Sequence, residues 1–155
     1  TDHAGFEFKN QIKEYLQKEG YDVVDCGATV FDKDDDYPDF ISKVGQAVSE
    51  DPEHHRGVVL GKSGAGEALV ANKFKGVRAF LAVNEKNVQL AREHNDANVI
   101  SLGSEIISLE EAKKFVKLFL ETKFPGDERH KRRINKIGEI EEAQGCGCSC
   151  SGGSC

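Results

Sequence analysis

The stretch GVVLGKSGAGEALVANK, residues 57–73, constrains this chain more than any other. The run at 57–60 is apolar without alternation and too short for a helix. That is how a strand reads when both faces of its sheet are covered. Such sheets are parallel, and parallel neighbours cannot be joined by hairpins; each needs a crossover, usually a helix. The glycine-rich turn and the helical pattern from about Glu67 supply one. The chain is thereby committed to alternating strands and helices, an α/β fold with a parallel sheet.

The remaining elements fit that scheme. Phe8, Ile12, Tyr15 and Leu16 share one face of a helix that stops at Gly20. Residues 21–25, YDVVD, read as a strand. An acidic segment, FDKDDDYPDF, lacks the spacing and closing glutamate of a calcium loop and reads as a solvated loop. Phe40, Ile41, Val44 and Val48 mark a helix starting after Pro38. Residues 77–83 give a strand, 85–95 a helix, and NVISLG a further strand. Ser108 and Glu111 form a capping box opening a helix with Phe115, Leu118 and Phe119 inward. A last helix, about 127–142, is highly charged, with only Ile134, Ile137 and Ile140 as an apolar stripe. So thin a stripe predicts packing on a surface or a second subunit.

Composition excludes several classes. Lys and Arg number 21 against 27 Asp and Glu, a net charge of −6. That argues against a general nucleic-acid binder. No apolar run approaches the ~20 residues of a membrane helix, and TDHAGFEFK is the wrong composition for a secretory signal. A cytoplasmic protein is expected. Four of five cysteines, Cys146, Cys148, Cys150 and Cys155, crowd the last ten residues. A disulfide framework would spread them through the fold. Residues 143–155 are read as a disordered Gly/Ser/Cys-rich tail. Its Cys-x-Cys-x-Cys pattern lacks the gap of structural zinc sites, so no metal is expected.

Ligands of parallel sheets bind at the carboxyl ends of the strands. Gly61, Gly64 and Gly66 let backbone N–H groups converge there on an anion. The turn is not a Walker A loop, because Lys62 and Ser63 follow the first glycine directly. By itself it could be a tight strand–helix connection. Glu67 could merely favour the helix dipole, or it could be a base beside an oxyanion-binding loop, the pairing that proton abstraction next to a carbonyl requires. His94 and Asn95 end a helix, where a histidine also complements the dipole. Asp2 and His3 open the chain as a cap and its neighbour. Arg129 and Arg133, four apart within a cluster that includes His130 and Arg132, share a face and can clamp a phosphate; a solvated face is the alternative.

In order, DHAGFEFK, DYPDF, GKSGAGEALVANK, GVRAFLAV, AREHNDANVISLG and ERHKRRINKI resemble the type B ribose-5-phosphate isomerase family, with its galactose-6-phosphate and allose-6-phosphate isomerase relatives. The match covers Asp2 to about Ile137. The resemblance implies a Rossmann-like three-layer α/β/α sandwich spanning 1–142. It implies a sugar-phosphate isomerase without metal or cofactor, and a homodimer, or a tetramer built from it, with active sites shared between subunits. Asp2 matches the residue near the sugar ring oxygen, His3 a phosphate-side histidine, and Tyr37 the pocket tyrosine. His94 matches the ring-opening residue, Asn95 its substrate-holding neighbour, and Arg129 and Arg133 the phosphate pair. One branch of the family uses a cysteine base at the position of Gly61; the other uses a glutamate at the position of Glu67, with Ser63 beside the oxyanion loop. This chain resembles the glutamate branch.

Three features depart from the pattern. Many members carry a strand of the type MKIAIGS before D-H-A-G, in the sheet interior; it is missing ahead of Thr1, and its absence is expected to open the core. Many carry an arginine where Glu105 stands. The cysteine tail has no counterpart. The expected activity is interconversion of ribose 5-phosphate and ribulose 5-phosphate through an enediolate. A hexose-6-phosphate isomerase, galactose or allose, is the alternative in the same class. A non-catalytic sugar-phosphate-binding module would need neither a base nor a ring-opening histidine, and a metal-handling protein would rest on the tail alone.

Overall fold

A computed structural model describes residues 1–145. A short 3-10 turn, His3–Gly5, leads into α1 (Phe6–Lys18). Then come α2 (Tyr37–Glu50), β1 (Gly57–Gly61), α3 (Ala65–Ala71), β2 (Ala79–Leu81), α4 (Glu85–Asn95), β3 (Val99–Gly103), α5 (Leu109–Glu121) and α6 (Glu128–Gly145). The strands form a parallel sheet in the order β1-β3-β2. Central β3 is buried along its whole length, Ser101 included, as befits a strand with both faces of its sheet covered.

Alternation along the strands divides the core in two. Leu60, Ile100 and Leu102 face Ile12 and Leu16 of α1, Val88 of α4, and Phe115, Val116 and Phe119 of α5. Val59 and Val99 face Ile41 and Val48 of α2 and Ala71 of α3. Helices on both faces make the three-layer, Rossmann-like sandwich. Local signals fix the helix ends. Gly20, at φ +89°, stops α1; Asn84 caps α4 by accepting the Asn87 N–H at 2.8 Å; Ser108 and Glu111 form both halves of their capping box.

Residues 21–25 do not form the expected strand. Val23 packs against the core and Val24 is 82 % exposed, so the segment keeps a strand's alternation. No described strand lies beside it to complete a ladder. Just beyond it, the Ala28 N–H donates to the Thr1 carbonyl at 3.0 Å. β2 is also shorter than the expected 77–83: the Arg78 N–H donates to the Asn98 side chain at 2.8 Å instead of a ladder carbonyl. Helix α6 continues to Gly145, into the expected tail; residues 146–155 lie outside the described ones.

An ion cluster holds 21–28 onto α1. The buried Lys9 ammonium donates to both oxygens of Asp25, at 3.1 and 2.9 Å, and to the Ala28 carbonyl at 2.6 Å; Lys13 adds a contact at 2.9 Å. Burial opposes the Asp25 charge, but Lys13, Lys9 and the Gly27 N–H outweigh it and hold the carboxyl at about 2. A lowered carboxyl pKa stabilises the fold above the ordinary value of 3.8, and the gain is lost as pH falls through about 2. On the order of 2 kcal/mol of stability should disappear across that window. Lys9→Met should cost ~2–3 kcal/mol at pH 7 and flatten the acid limb in urea titrations. An unchanged acid limb would remove Asp25 from the account.

Candidate active site

The carboxyl ends of β1 and β3, paired at Gly61 and Gly103, carry the glycine-rich turn. Its carbonyls are occupied: the Ser104 N–H donates to Gly61 O at 2.8 Å, the Glu105 N–H to Lys62 O at 3.0 Å, and Ser101 Oγ to Gly64 O at 2.5 Å. The N–H groups of Ser63 and Gly64 have no acceptor among the described residues. Gly64 sits at φ +75°, and a Cβ there would lie 2.9 Å from the Leu102 carbonyl carbon, so only glycine makes the turn. Ser63 is exposed, and its Oγ accepts the Ala65 N–H at 3.3 Å.

Two glycines in this turn are empty space filled by other residues' side chains. The carboxylate of Glu67 lies where a side chain at position 61 would stand, and a Cβ on Gly61 would overlap Glu67 Oε1. A Cβ on Gly66 would come within 2.9 Å of the Tyr37 hydroxyl. Glu67 is only 6 % exposed. Burial raises its pKa, its own backbone N–H partly offsets this, and the charge of Asp2 pushes it further upward. A carboxylate poised above its usual range is suited to proton transfer near neutrality.

Asp2 and His3 stand at the same end. Buried Asp2 accepts the Ala4 N–H at 3.0 Å. His3 is held twice by Asp35 Oδ1, through its backbone N–H at 3.0 Å and through Nδ1 at 2.6 Å. The contact raises the pKa of His3 and leaves Nε2 for a ligand. Asp35 belongs to the acidic segment read as a solvated loop. Part of that loop is instead an ordered arm fixing His3. Ligand atoms of Asp2, His3 and Asp35 lie within 4.8 Å of one another, which makes them the described residues able to hold a cation here.

His94, Asn95, Arg129 and Arg133 are elsewhere. Helix α4 leaves the carboxyl end of β2 and returns to the start of β3, so its last residues lie at the amino end of the sheet. Five-residue strands separate the two ends by at least about 13 Å. At this second location Asp96, at φ +44°, turns the chain sharply after Asn95. Arg92 and Arg78 pin its carboxylate at 2.7 and 3.0 Å. His94 is half-buried and Asn95 exposed. Arg129 and Arg133 project from the start of α6, exposed and without an ion-pair partner among the described residues. The expected site residues therefore fall into two groups within one chain: Glu67, the turn, Asp2, His3 and Tyr37 at one end of the sheet, His94, Asn95, Arg129 and Arg133 at the other.

The sequence reading missed Asp35, Arg78, Arg92 and Asp96, which hold the residues beside the expected site. Arg92 and Asp96 are four apart, a pairing the helix spacing could have shown; Asp35 and Arg78 find their partners far along the chain, where nothing local marks them. Glu105 is exposed, and its contribution to the turn is its backbone N–H.

A buried carboxylate beside an anion-cradling turn, at the carboxyl edge of a parallel sheet, defines a class: α/β proteins that handle a small polar ligand at the strand ends. The chain belongs, within that class, to the ribose/galactose isomerase family, whose model matches residues 1–137. It is 43 % identical over 141 residues to the ribose-5-phosphate isomerase B of Mycolicibacterium paratuberculosis, covering 91 % of this chain and 88 % of that protein. Identity to the Escherichia coli ribose-5-phosphate isomerase B is 38 % over 141 residues, covering 91 % and 93 %. The crystal structure of the Mycoplasma genitalium enzyme with bound ribulose-5-phosphate superposes with a TM-score of 0.88 at 42 % identity, covering 91 % of this chain and 92 % of that one. No described helix is long and apolar enough to cross a membrane.

Proposed function

We propose that this chain interconverts ribose 5-phosphate and ribulose 5-phosphate, with Glu67 as the base, in a dimer whose two half-sites meet across the subunit boundary. The observation that carries the reading is the Glu67 carboxylate, buried over Gly61 beside free N–H groups of the turn. Once the sugar ring is open, Glu67 takes the C2 proton of the aldose. The C2–H pair forms the C1–C2 double bond and the carbonyl electrons move to O1, giving an enediolate that faces the Ser63 and Gly64 N–H groups. Glu67 returns its proton to C1, and the O2 hydroxyl proton passes to O1. Asp2, Tyr37 and Gly66 line the sugar, and His3 lies on the phosphate side.

The second half-site supplies the rest. His94 opens the ring and Asn95 holds the sugar beside it, while Arg129 and Arg133 take the phosphate. Within one chain these residues stand too far from Glu67, so a second copy provides them. Exposed Ile137 and Ile140 on α6 give that copy apolar surface to cover. The purified chain should convert ribose 5-phosphate to the ketose far faster than galactose or allose 6-phosphate. Preference for a hexose phosphate, or full activity from a monomer at micromolar concentration, would overturn this.

The arginine pair acts through binding. Arg133→Ala should raise KM for ribose 5-phosphate by the equivalent of ~2–3 kcal/mol, a lost charge-assisted hydrogen bond. Lysine should rescue only part, lacking the planar fork. An unchanged KM in steady-state assays would make Arg133 a solvated charge.

A further inference from the structure

His130 is anomalous on its helix. Every other residue from Glu128 to Arg133 is exposed, yet this imidazole is 2 % exposed. Two contacts explain where it goes. Its ring lies face to face with that of His94, centroids 4.4 Å apart and planes within 11°. Its Nε2 accepts the Nε–H of Arg129 at 3.1 Å. An accepting Nε2 carries no proton, so the neutral tautomer with hydrogen on Nδ1 is the one present. Burial, with His94 and Arg129 close by, lowers the His130 pKa, the direction that favours the neutral ring.

We propose that His130 is a positioning residue with two separable tasks: its ring face sets the plane of His94 for ring opening, and its Nε2 aims the Arg129 guanidinium at the sugar phosphate. The inference rests on the functional reading above. The substrate's chemistry explains why one residue would serve both. In a furanose 5-phosphate the ring oxygen sits on C4, next to the phosphate-bearing C5. A group that handles that oxygen must stand beside the groups that grip the phosphate. A rigid aromatic plate between them fixes the spacing at little entropic cost.

The two tasks can be separated by substitution. His130→Phe keeps the plate and removes the acceptor; His130→Gln keeps an acceptor and removes the plate. Ribulose 5-phosphate provides the control: with O5 esterified it cannot close a furanose, so solvent-deuterium exchange at its C1 needs proton transfer but no ring step. His130→Phe should raise KM about 10-fold with kcat nearly unchanged. His130→Gln should keep KM, lower kcat for ribose 5-phosphate by about 10- to 100-fold, and leave C1 exchange close to the parent rate. Equal effects of the two variants on KM and kcat, or no effect of either, would overturn the proposal. So would a failure of both to fold, which would make His130 a core residue only. A parent chain that does not turn over ribose 5-phosphate would instead defeat the functional reading itself.

Discussion

Glu67→Gln should lower kcat by ~10²–10⁴, the usual effect of removing a general base, while KM moves little. The amide has the carboxylate's shape and still fits over Gly61, so binding survives and the loss falls on the chemical step. The variant should also stop deuterium exchange at C2 of ribose 5-phosphate while ring opening continues. A stability signature accompanies the kinetic one. Burial and Asp2 raise the Glu67 pKa, so the folded protein holds this proton more tightly than the unfolded chain. The carboxyl favours the fold fully below its ordinary value of 4.5, and that contribution is lost as pH rises through the folded pKa. At neutral pH the ionised group is a burden, and Glu67→Gln should raise the Tm as it removes activity. Near-normal kcat, or a lowered Tm with intact packing, would leave Glu67 a helix-start charge.

The second large effect is complementation. Glu67→Gln and His94→Ala should each be nearly inactive alone, since each removes one half-site from both active sites of a dimer. Unfolding an equal mixture and refolding it should restore about a quarter of parent activity, because half the dimers are hybrids and each hybrid contains one intact site. The two variants mixed without unfolding should stay inactive until subunits exchange. If refolding restores nothing while dimers form normally, the half-sites do not meet across a subunit boundary.

Elements governed by neighbours in sequence were legible before the fold was known. Helix α4 starts after Asn84 and ends at Asn95 because cap and turn residues sit within a few positions of its ends. Ser108 and Glu111 announce α5 for the same reason. The glycine turn and its glutamate were legible as a unit because chemistry and backbone requirement coincide in seven residues. Residues 21–25 misled because β-propensity and alternation specify a strand's faces but not its ladder partner. His130 looked like one more charge in ERHKRR; its meaning depends on His94, brought to it only by the packing of α6 on α4. Asp35 was similarly hidden in a run of aspartates, distinguished only by the turn that returns it to His3.

The shared volume at Gly61 and Glu67 has a consequence for how such a site can change. A side chain at 61 and a carboxylate from 67 compete for the same few cubic ångströms, so the two positions are not independent. Any residue larger than glycine introduced first at 61 would displace the Glu67 carboxylate, the base under our proposal, and shortening Glu67 first would leave a cavity with no carboxylate in it. A base delivered from the strand and a base delivered from the helix are therefore alternative solutions separated by an inactive intermediate. Neither order of single substitutions avoids that intermediate, so a lineage could pass from one to the other only by changing both positions together.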